Sequence, residues 1–287
     1  MFIVNPISGT RGKENIIEYI EQHLDKEKYN PFVIKTQYRG HANKLAKEYA
    51  KKGFQIVVAV GGDGTINEVA SALVNKNTVL GIIPAGSGNG FSRHLGIPVD
   101  KREAFNNIIS NKVKKIDVGR INGKYFFCTC GTGFDAHVGK VFDEIEGRGF
   151  LNYLKAALHE FFSYKPKKYK LKIDGVKYKE KAFLVTFANA GQYGNNAYIS
   201  PKAEINDGLL DICIVHPFPK ASSLILGLRL FNRTMHRSRY MKVVKGKKIK
   251  IYRKKKTIMH LDGEPVTFKN DIKIKLIPKG LKVLVSK

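Results

Sequence analysis

The chain has 287 residues, 43% hydrophobic and 26% charged, which is the balance of a folded protein with a sizeable core and excludes a disordered one. Its formal charge of +27 creates a field that draws polyanions such as anionic lipid, nucleotide or nucleic acid. No apolar run approaches the roughly 20 residues that span a bilayer, and "MFIVNPISG" lacks the charged start and long apolar stretch of a secretory leader, so a cytoplasmic protein is expected.

In chain order, "MFIVNP" reads as a short apolar strand ending at Pro6, and "KENIIEYIEQHL" as a helix with Ile16, Ile17, Ile20 and Leu24 at helical spacing. "PFVIKT" is a second strand and "HANKLAKEYAKKG" a second helix, closed by Gly53. The nearly all β-branched "QIVVAV" is a third strand, "TINEVASALVN" a third helix and "VLGIIP" a fourth strand. Such apolar strands alternating with helices predict an α/β domain built on a parallel sheet.

Past about residue 116 the pattern changes. "KYFFCTCGTGF", "KYKLKIDGVKYKEKAFLVTFANAG", "GLLDICIVHP", "GKKIKIYRKKKTIMHLDGEP" and "DIKIKLIPKGLKVLVS" are short alternating segments broken by Gly, Pro, Asn and Asp. "IDGV" is a hairpin signal, and the half as a whole reads as an antiparallel β domain. Two helical segments interrupt it, at residues 147–166 and 221–241. The expected division is 1–118 and 119–287, hinged near residues 116–123, with the last strand as a candidate to return to the first domain. A cleft between domains would be a favoured ligand site. Cys128, Cys130 and Cys213 have no metal-like spacing and read as reduced thiols in strands.

Charge is unevenly placed. Residues 212–261 contain no acid, and basic residues are densest in "KGKKIKIYRKKK". A solvated basic face, a membrane-surface footprint and a nucleic-acid contact are all open readings of that stretch.

Three glycine-bearing turns each follow an apolar strand: "NPISG", "GGDGTINE" and "PAGSGNGFSRHLG". Ligands of open α/β sheets bind outside the carboxyl ends of the strands, where these turns lie. Bare glycine backbone and helix N-termini offer N–H groups to phosphates, and Thr65, Ser87 and Asn89 could add side-chain donors. A Walker A loop is absent, and "GSGNG" is GxGxG rather than the GxGxxG of dinucleotide or protein-kinase loops.

"GGDGTINEV", preceded by "NPISG" and followed by "PAGSGNGFSRHLGIP", resembles the diacylglycerol kinase catalytic-domain family of lipid kinases, which includes sphingosine and ceramide kinases. "GTGFDAHV", "EINDGLLDICIV" and "HLDGEP" resemble later motifs of that family and occur in its order. "GGDGT" alone also occurs in NAD kinases, and the later motifs separate the two. The resemblance implies a phosphofructokinase- or NAD kinase-like N-terminal α/β domain that binds nucleotide and a C-terminal β-sandwich domain that takes the lipid, with transfer of the γ-phosphate of ATP to a lipid hydroxyl, with Mg²⁺, in the cleft. An NAD kinase-like enzyme or a non-catalytic nucleotide- or lipid-binding regulator is the alternative.

By the same resemblance, nucleotide contacts fall on Asn5, Pro6, Ile7, Ser8 and Gly9, on Thr36, on Gly61, Gly62, Asp63, Gly64, Thr65, Ile66 and Asn67, and on Ser87. Asp63 could bind nucleotide or its Mg²⁺, or cap the helix behind it. Asp262 and Glu264 are the catalytic carboxylates, the family's proton acceptor corresponding to Glu264. A structural Mg²⁺ found in part of the family corresponds to Glu204, Asp207 and the Leu209 carbonyl. Here Glu204 replaces a Lys, and Asn206 stands where a second acid is frequent, so a plain turn is the other reading. Asp135 is a further candidate for the cleft. The implied partner is a lipid substrate at an anionic membrane surface on the inner face of the membrane. The 147–166 helix, with Phe150, Leu151, Leu154, Leu158, Phe161 and Phe162, could be interfacial or face the core. No specific nucleic acid is expected, and homodimerisation is left open. "GSGN" tilts the acceptor toward a sphingoid base, with diacylglycerol the other choice.

Overall fold

The computed structural model describes residues 1–7, 14–25, 27–110, 112–144, 159–253 and 256–286. The chain divides into two units, Met1–Ile116 with Lys279–Lys287, and Asp117–Pro278.

The first unit alternates strand and helix: β1 (Phe2–Val4), α1 (Glu14–His23), β2 (Val33–Lys35), α2 (His41–Lys51), β3 (Ile56–Gly61), α3 (Asp63–Leu73), β4 (Val79–Pro84), α4 (Gly90–His94) and α5 (Lys101–Ile109). The strands lie in the order β2-β1-β3-β4, every pair parallel. Val57, Val58, Ala59 and Val60 of β3 are all buried, as are Leu80, Ile82 and Ile83 of β4. β-Branched runs of this kind suit strands covered on both faces. α2 buries Ala42, Leu45, Ala46 and Tyr49, and α3 buries Thr65, Ile66, Val69, Ala70, Ala72 and Leu73, each set on one face at helical spacing. The sequence pattern did not resolve α4 and α5. α4 has only five residues, and α5 is set by its cap, with Asp100 Oδ1 accepting from the N–H groups of Arg102 and Glu103 at 2.9 and 3.0 Å.

The chain enters the second unit within β5 (Val113–Ile121) and continues through β6 (Lys124–Phe126), β7 (Thr129–Gly133), α6 (Phe134–Glu144), β8 (Lys167–Ile173), β9 (Val176–Ala182), β10 (Leu184–Ala188) and β11 (Leu210–Val215). α7 (Ser223–Phe231), β12 (Met241–Gly246), β13 (Lys248–Ile251), β14 (Thr257–Leu261) and β15 (Glu264–Phe268) follow, and the last strand, β16 (Ile272–Leu284), returns to the first unit. There its end runs parallel to β4, Val283 facing Leu80.

Two antiparallel sheets make the second unit. One is six-stranded, β12-β11-β10-β7-β14-β15, and the other runs β16-β13-β8-β9. Between them lies a core that includes Tyr169, Leu171, Ile249 and Ile274 from one sheet and Val185, Phe187, Ile212 and Met259 from the other. This is a β-sandwich. β8 alternates strictly, Tyr169, Leu171 and Ile173 inward and Lys168, Lys170 and Lys172 outward, which fixes its register. The register sets Lys177, Lys172, Lys250 and Lys273 in one row across four strands. Facing like charges cost a few tenths of a kcal/mol per pair, about 0.2–1, and Asp271 offsets part of this with an ion pair to Lys250 at 3.0 Å. Asp174 and Gly175, at φ 44° and 97°, form the tight turn between β8 and β9 that "IDGV" announced.

Outside the six-stranded sheet, α6 and α7 cover a second apolar cluster with Phe183, Cys213, Val215 and Leu226 at its centre. The helix expected over 221–241 stops at Phe231. Arg233 adopts φ 55°, a left-handed conformation that ends the helix, and the chain goes on through a short turn at Met235–Arg237 into β12. Most of the expected 147–166 helix lies outside the described residues. Of its end, residues 159–163 are helical, and Phe161 packs against Phe134, Phe183 and Phe218 in that second cluster.

Gly119 of β5 faces the fully buried Phe126, whose ring fills the place a Cβ would take. Gly119→Ala should therefore lower stability by about 1–3 kcal/mol, read as a lower denaturant midpoint. An unchanged midpoint would contradict this packing.

Candidate functional site

Because β1, β3 and β4 are parallel, the turns that follow them share one edge of the first unit's sheet. Two side-chain contacts hold these turns to each other, and others brace the turns internally. Asn5 Nδ2 donates to Thr65 Oγ1 at 2.9 Å, joining the first turn to α3, while Asn5 Oδ1 accepts the Ile7 N–H at 3.0 Å. Asp63 Oδ2 accepts the Asn89 N–H at 2.9 Å, joining the second turn to the third. Asn89, at φ 49°, spends its amide within its own turn, accepting from Gly86 N at 3.0 Å and donating to Gly86 O at 2.7 Å.

The glycines are explained by these contacts. A Cβ on Gly86 would stand 2.8 Å from Gly62 Cα, and one on Gly61 would stand 2.7 Å from Thr65 Cβ. Either would push the turns apart. α3 begins directly after Gly62, and no side chain caps its N-terminus, which lies at this edge. Such an end, set among glycines, suits phosphate.

Several expectations change here. Asp63 is not the cap of α3 but lies in its first turn, and its carboxylate bridges two glycine turns. Thr65 is buried against Asn5, and the Ile66 side chain lies in the core, so at Ile66 only backbone is left for a ligand. Asn89 is buried and used structurally, which removes it as a phosphate donor. Ser87 is exposed at the tip of the third turn, Asn67 and Gly64 are half-buried, and Thr36 N–H closes onto Val4 O at 2.8 Å beside the first. Pro6 and Ile7 lie in an exposed turn, and Ser8 and Gly9 fall outside the described residues. Glu68 was not singled out from the sequence. It receives the Gly40 N–H on Oε1 at 2.8 Å and Asn43 Nδ2 on its carbonyl at 2.7 Å, fixing α2 against α3.

In the second unit, Asp262 and Gly263 form the two-residue turn between β14 and β15, at φ 48° and 92°. The Asp262 carboxylate accepts three successive backbone N–H groups, from Phe127 at 2.8 Å, Cys128 at 2.8 Å and Thr129 at 3.1 Å, and its own N–H donates to Thr129 O at 2.8 Å. A carboxylate held this way is a clamp, and it ties the turn to the β6–β7 connection. Glu264, two residues on, opens β15 and is exposed. Of the two carboxylates, Glu264 is the one presented outward, while Asp262 is engaged by backbone N–H groups.

Asp135 is also corrected. It is buried at the start of α6, where its Oδ2 receives Thr186 Oγ1 at 2.8 Å, His260 Nε2 at 3.1 Å and Tyr193 Oη at 3.2 Å. Facing a carboxylate oxygen, His260 Nε2 carries the proton. A Cβ at Gly131 would fall 2.6 Å from His260 Nε2, so that glycine makes room for the pair. Asp135 is thus an interior hub behind β14, not a ligand-facing acid. His260 was missed although it sits inside the quoted "HLDGEP". The cysteines are buried thiols, and burial raises the Cys213 thiol to about 12, which suits packing and not nucleophilic work.

At the expected Mg²⁺ position the Asp207 carboxylate has partners within the protein. Asp207 Oδ1 accepts the Leu209 N–H at 2.9 Å, and its Oδ2 meets Lys245 Nζ at 2.8 Å, with Asp211 Oδ1 at 3.4 Å from the same ammonium. The hydrogen bond to Asp207 raises the Lys245 pKa. Glu204 is exposed, and among the described residues no three acidic, His or Cys side chains gather to hold a metal. Mg²⁺ requires an octahedron of oxygens. The Lys245 ammonium on Asp207 occupies a carboxylate oxygen that such an ion would need.

Comparison with known proteins completes the picture. Residues 1–121 match the family model of the diacylglycerol kinase catalytic domain, and residues 128–285 match that of the YegS C-terminal NAD kinase beta sandwich-like domain. The chain is 28% identical over 272 residues to a diacylglycerol kinase of Bacillus subtilis, covering 91% of this chain and 88% of the relative. It is 30% identical over 254 residues to "Probable lipid kinase YegS-like" of Klebsiella pneumoniae, covering 86% and 83%. The crystal structure of a diacylglycerol kinase from Bacillus anthracis superposes with a TM-score of 0.75 at 25% identity, over 99% of this chain and 96% of that one.

With Lys245 in place of a metal, chelation by EDTA should leave the melting temperature of the nucleotide-free protein unchanged, whereas Lys245→Ala should lower it. A fall of several degrees in EDTA would restore the metal.

Proposed function

The chain belongs to the diacylglycerol kinase family of lipid kinases, a family of phosphotransferases, and from that premise we propose that it transfers the γ-phosphate of ATP to the hydroxyl of a membrane lipid. ATP, carried as its magnesium complex, is assigned to the glycine turns and the N-terminus of α3 in the first unit. The lipid hydroxyl is assigned to Glu264 in the second. The observation that carries this reading is the division of labour in the Asp-Gly-Glu turn: three backbone N–H groups occupy Asp262, while Glu264 stands exposed beside it.

Phosphoryl transfer needs positioning and charge neutralisation more than covalent help. As the lipid oxygen bonds to the γ-phosphorus, the bond to the β,γ-bridging oxygen breaks and ADP leaves with the electron pair. The hydroxyl proton passes to Glu264. An alcohol is too weak an acid to lose that proton beforehand, so the carboxylate acts as the new bond forms. The relatives named diacylglycerol kinase favour diacylglycerol over a sphingoid base as acceptor.

A kinase of this kind must meet its substrate at a membrane surface. Among the described residues no helix is long and apolar enough to cross a membrane. The +27 charge supports reversible attachment to an anionic inner leaflet instead.

The test is transfer from γ-labelled ATP to diacylglycerol, sphingosine and ceramide presented in mixed micelles with anionic lipid. Glu264→Gln should cut kcat by about 10²–10⁴ while ATP affinity and melting temperature hold. Unchanged turnover in this variant would remove Glu264 from the reaction. Association with anionic vesicles should weaken steeply as salt rises through the range where the Debye length shrinks below about 10 Å; binding indifferent to salt would count against electrostatic attachment.

A further inference from the structure

Helix α7 carries its apolar residues on two faces. Leu226 is buried and Leu230 partly buried against the outer cluster of the six-stranded sheet. On the other side, Leu224 is 73% exposed, Ile225 57%, Leu228 55% and Phe231 45%. Positions 224, 228 and 231 are spaced by four and three residues, so they form one continuous stripe, with Ile225 at its margin. Single exposed apolar residues are ordinary, but four on nine residues of one helix are not.

The rim of this stripe is cationic. Lys220 lies in the turn that leads into α7, with its Nζ 5.2 Å from the centre of the exposed Phe162 ring. Arg233 and Arg237, both exposed, follow the helix C-terminus, and Arg239 reaches the hydroxyl of Tyr240, which lies 3.5 Å from Ser222 Oγ before the helix. No acidic residue occurs anywhere from 212 to 261. An apolar stripe flanked by Lys220, Arg233 and Arg237 on a stretch without acids matches the boundary of an anionic bilayer, where acyl chains take the apolar side chains and headgroups take the cations.

We propose that α7 is the membrane-inserting element of this protein, with Leu224, Leu228 and Phe231 entering the acyl boundary of an anionic bilayer and Arg233 and Arg237 resting on its headgroups. This deepens the lipid kinase reading and rests on it for the choice of bilayer over other apolar partners. The lysine row of β8, β9, β13 and β16 lies on the opposite face of the sandwich from α7. Its charge strengthens long-range attraction without touching the bilayer. The same helix is not part of the machinery assigned to phosphate transfer, so binding and chemistry can be separated.

The experiment measures partition onto vesicles of equimolar phosphatidylcholine and phosphatidylglycerol for the full chain, for Leu224→Ser with Leu228→Ser, and for Arg233→Gln with Arg237→Gln. The leucine variant should bind about tenfold more weakly or worse at every salt concentration. The arginine variant should lose affinity mainly at low salt. Both should keep the wild-type melting temperature, and both should keep wild-type turnover on a dispersed short-chain diacylglycerol. Wild-type vesicle binding by the leucine variant overturns the proposal. So does a lower melting temperature, which would show the stripe covered by this chain itself, or loss of a wild-type dimer in sedimentation, which would show a second copy on it. Absence of transfer to any lipid by the wild type would instead sink the kinase reading, whatever the vesicles show.

Discussion

Three consecutive amides converging on one carboxylate organise the Asp-Gly-Glu turn of the second unit. Asp262 sits at a left-handed turn position and accepts from Phe127, Cys128 and Thr129, so the β14–β15 turn cannot move without breaking three charge-assisted hydrogen bonds. Glu264 inherits its position from that arrangement. Behind β14 the buried Asp135, satisfied by Thr186, Tyr193 and His260, anchors the strand to α6 and β10. A second N–H, from Ala136, takes the other Asp135 oxygen, so both carboxylate oxygens are engaged in this buried network. Glu264 is therefore exposed on a turn held from two sides.

The nucleotide half uses the same device. Asp63 accepts the Asn89 N–H, and the Gly62 and Gly86 backbones come too close for any side chain between them. In both units an acid singled out in the sequence, Asp63 in one and Asp262 in the other, accepts backbone N–H groups and thereby fixes the turn around it. A Lys takes the corresponding role at the 204–211 loop, where Lys245 holds Asp207 and Asp211.

Fold class was legible because burial enforces periodicity. β3 and β4 are apolar at almost every position, β8 alternates Lys with Tyr, Leu and Ile, and "IDGV" demands a left-handed turn; each of these patterns has one structural solution. The glycine turns were legible for a similar reason, since only glycine tolerates the approach of Gly62 to Gly86. What stayed hidden depends on long-range partners. Nothing local distinguishes Asp262, bound to residues some 130 positions earlier, from Glu264, which is exposed. The burial of Asp135 and its bond to His260 across 125 positions are equally invisible in sequence, as is the Lys245 ammonium on Asp207. The end of α7 was misjudged because Arg233 takes a left-handed conformation that no glycine or proline announces.

The central claim is that Asp262 holds and Glu264 reacts. Amide hydrogen exchange at Phe127, Cys128 and Thr129, read in Glu264→Gln and Asp262→Asn with phosphate transfer recorded on the same samples, tests it most directly. The account predicts that Glu264→Gln keeps these amides protected yet loses transfer, while Asp262→Asn exposes them to exchange. Full protection in Asp262→Asn, or full transfer by Glu264→Gln, would contradict it.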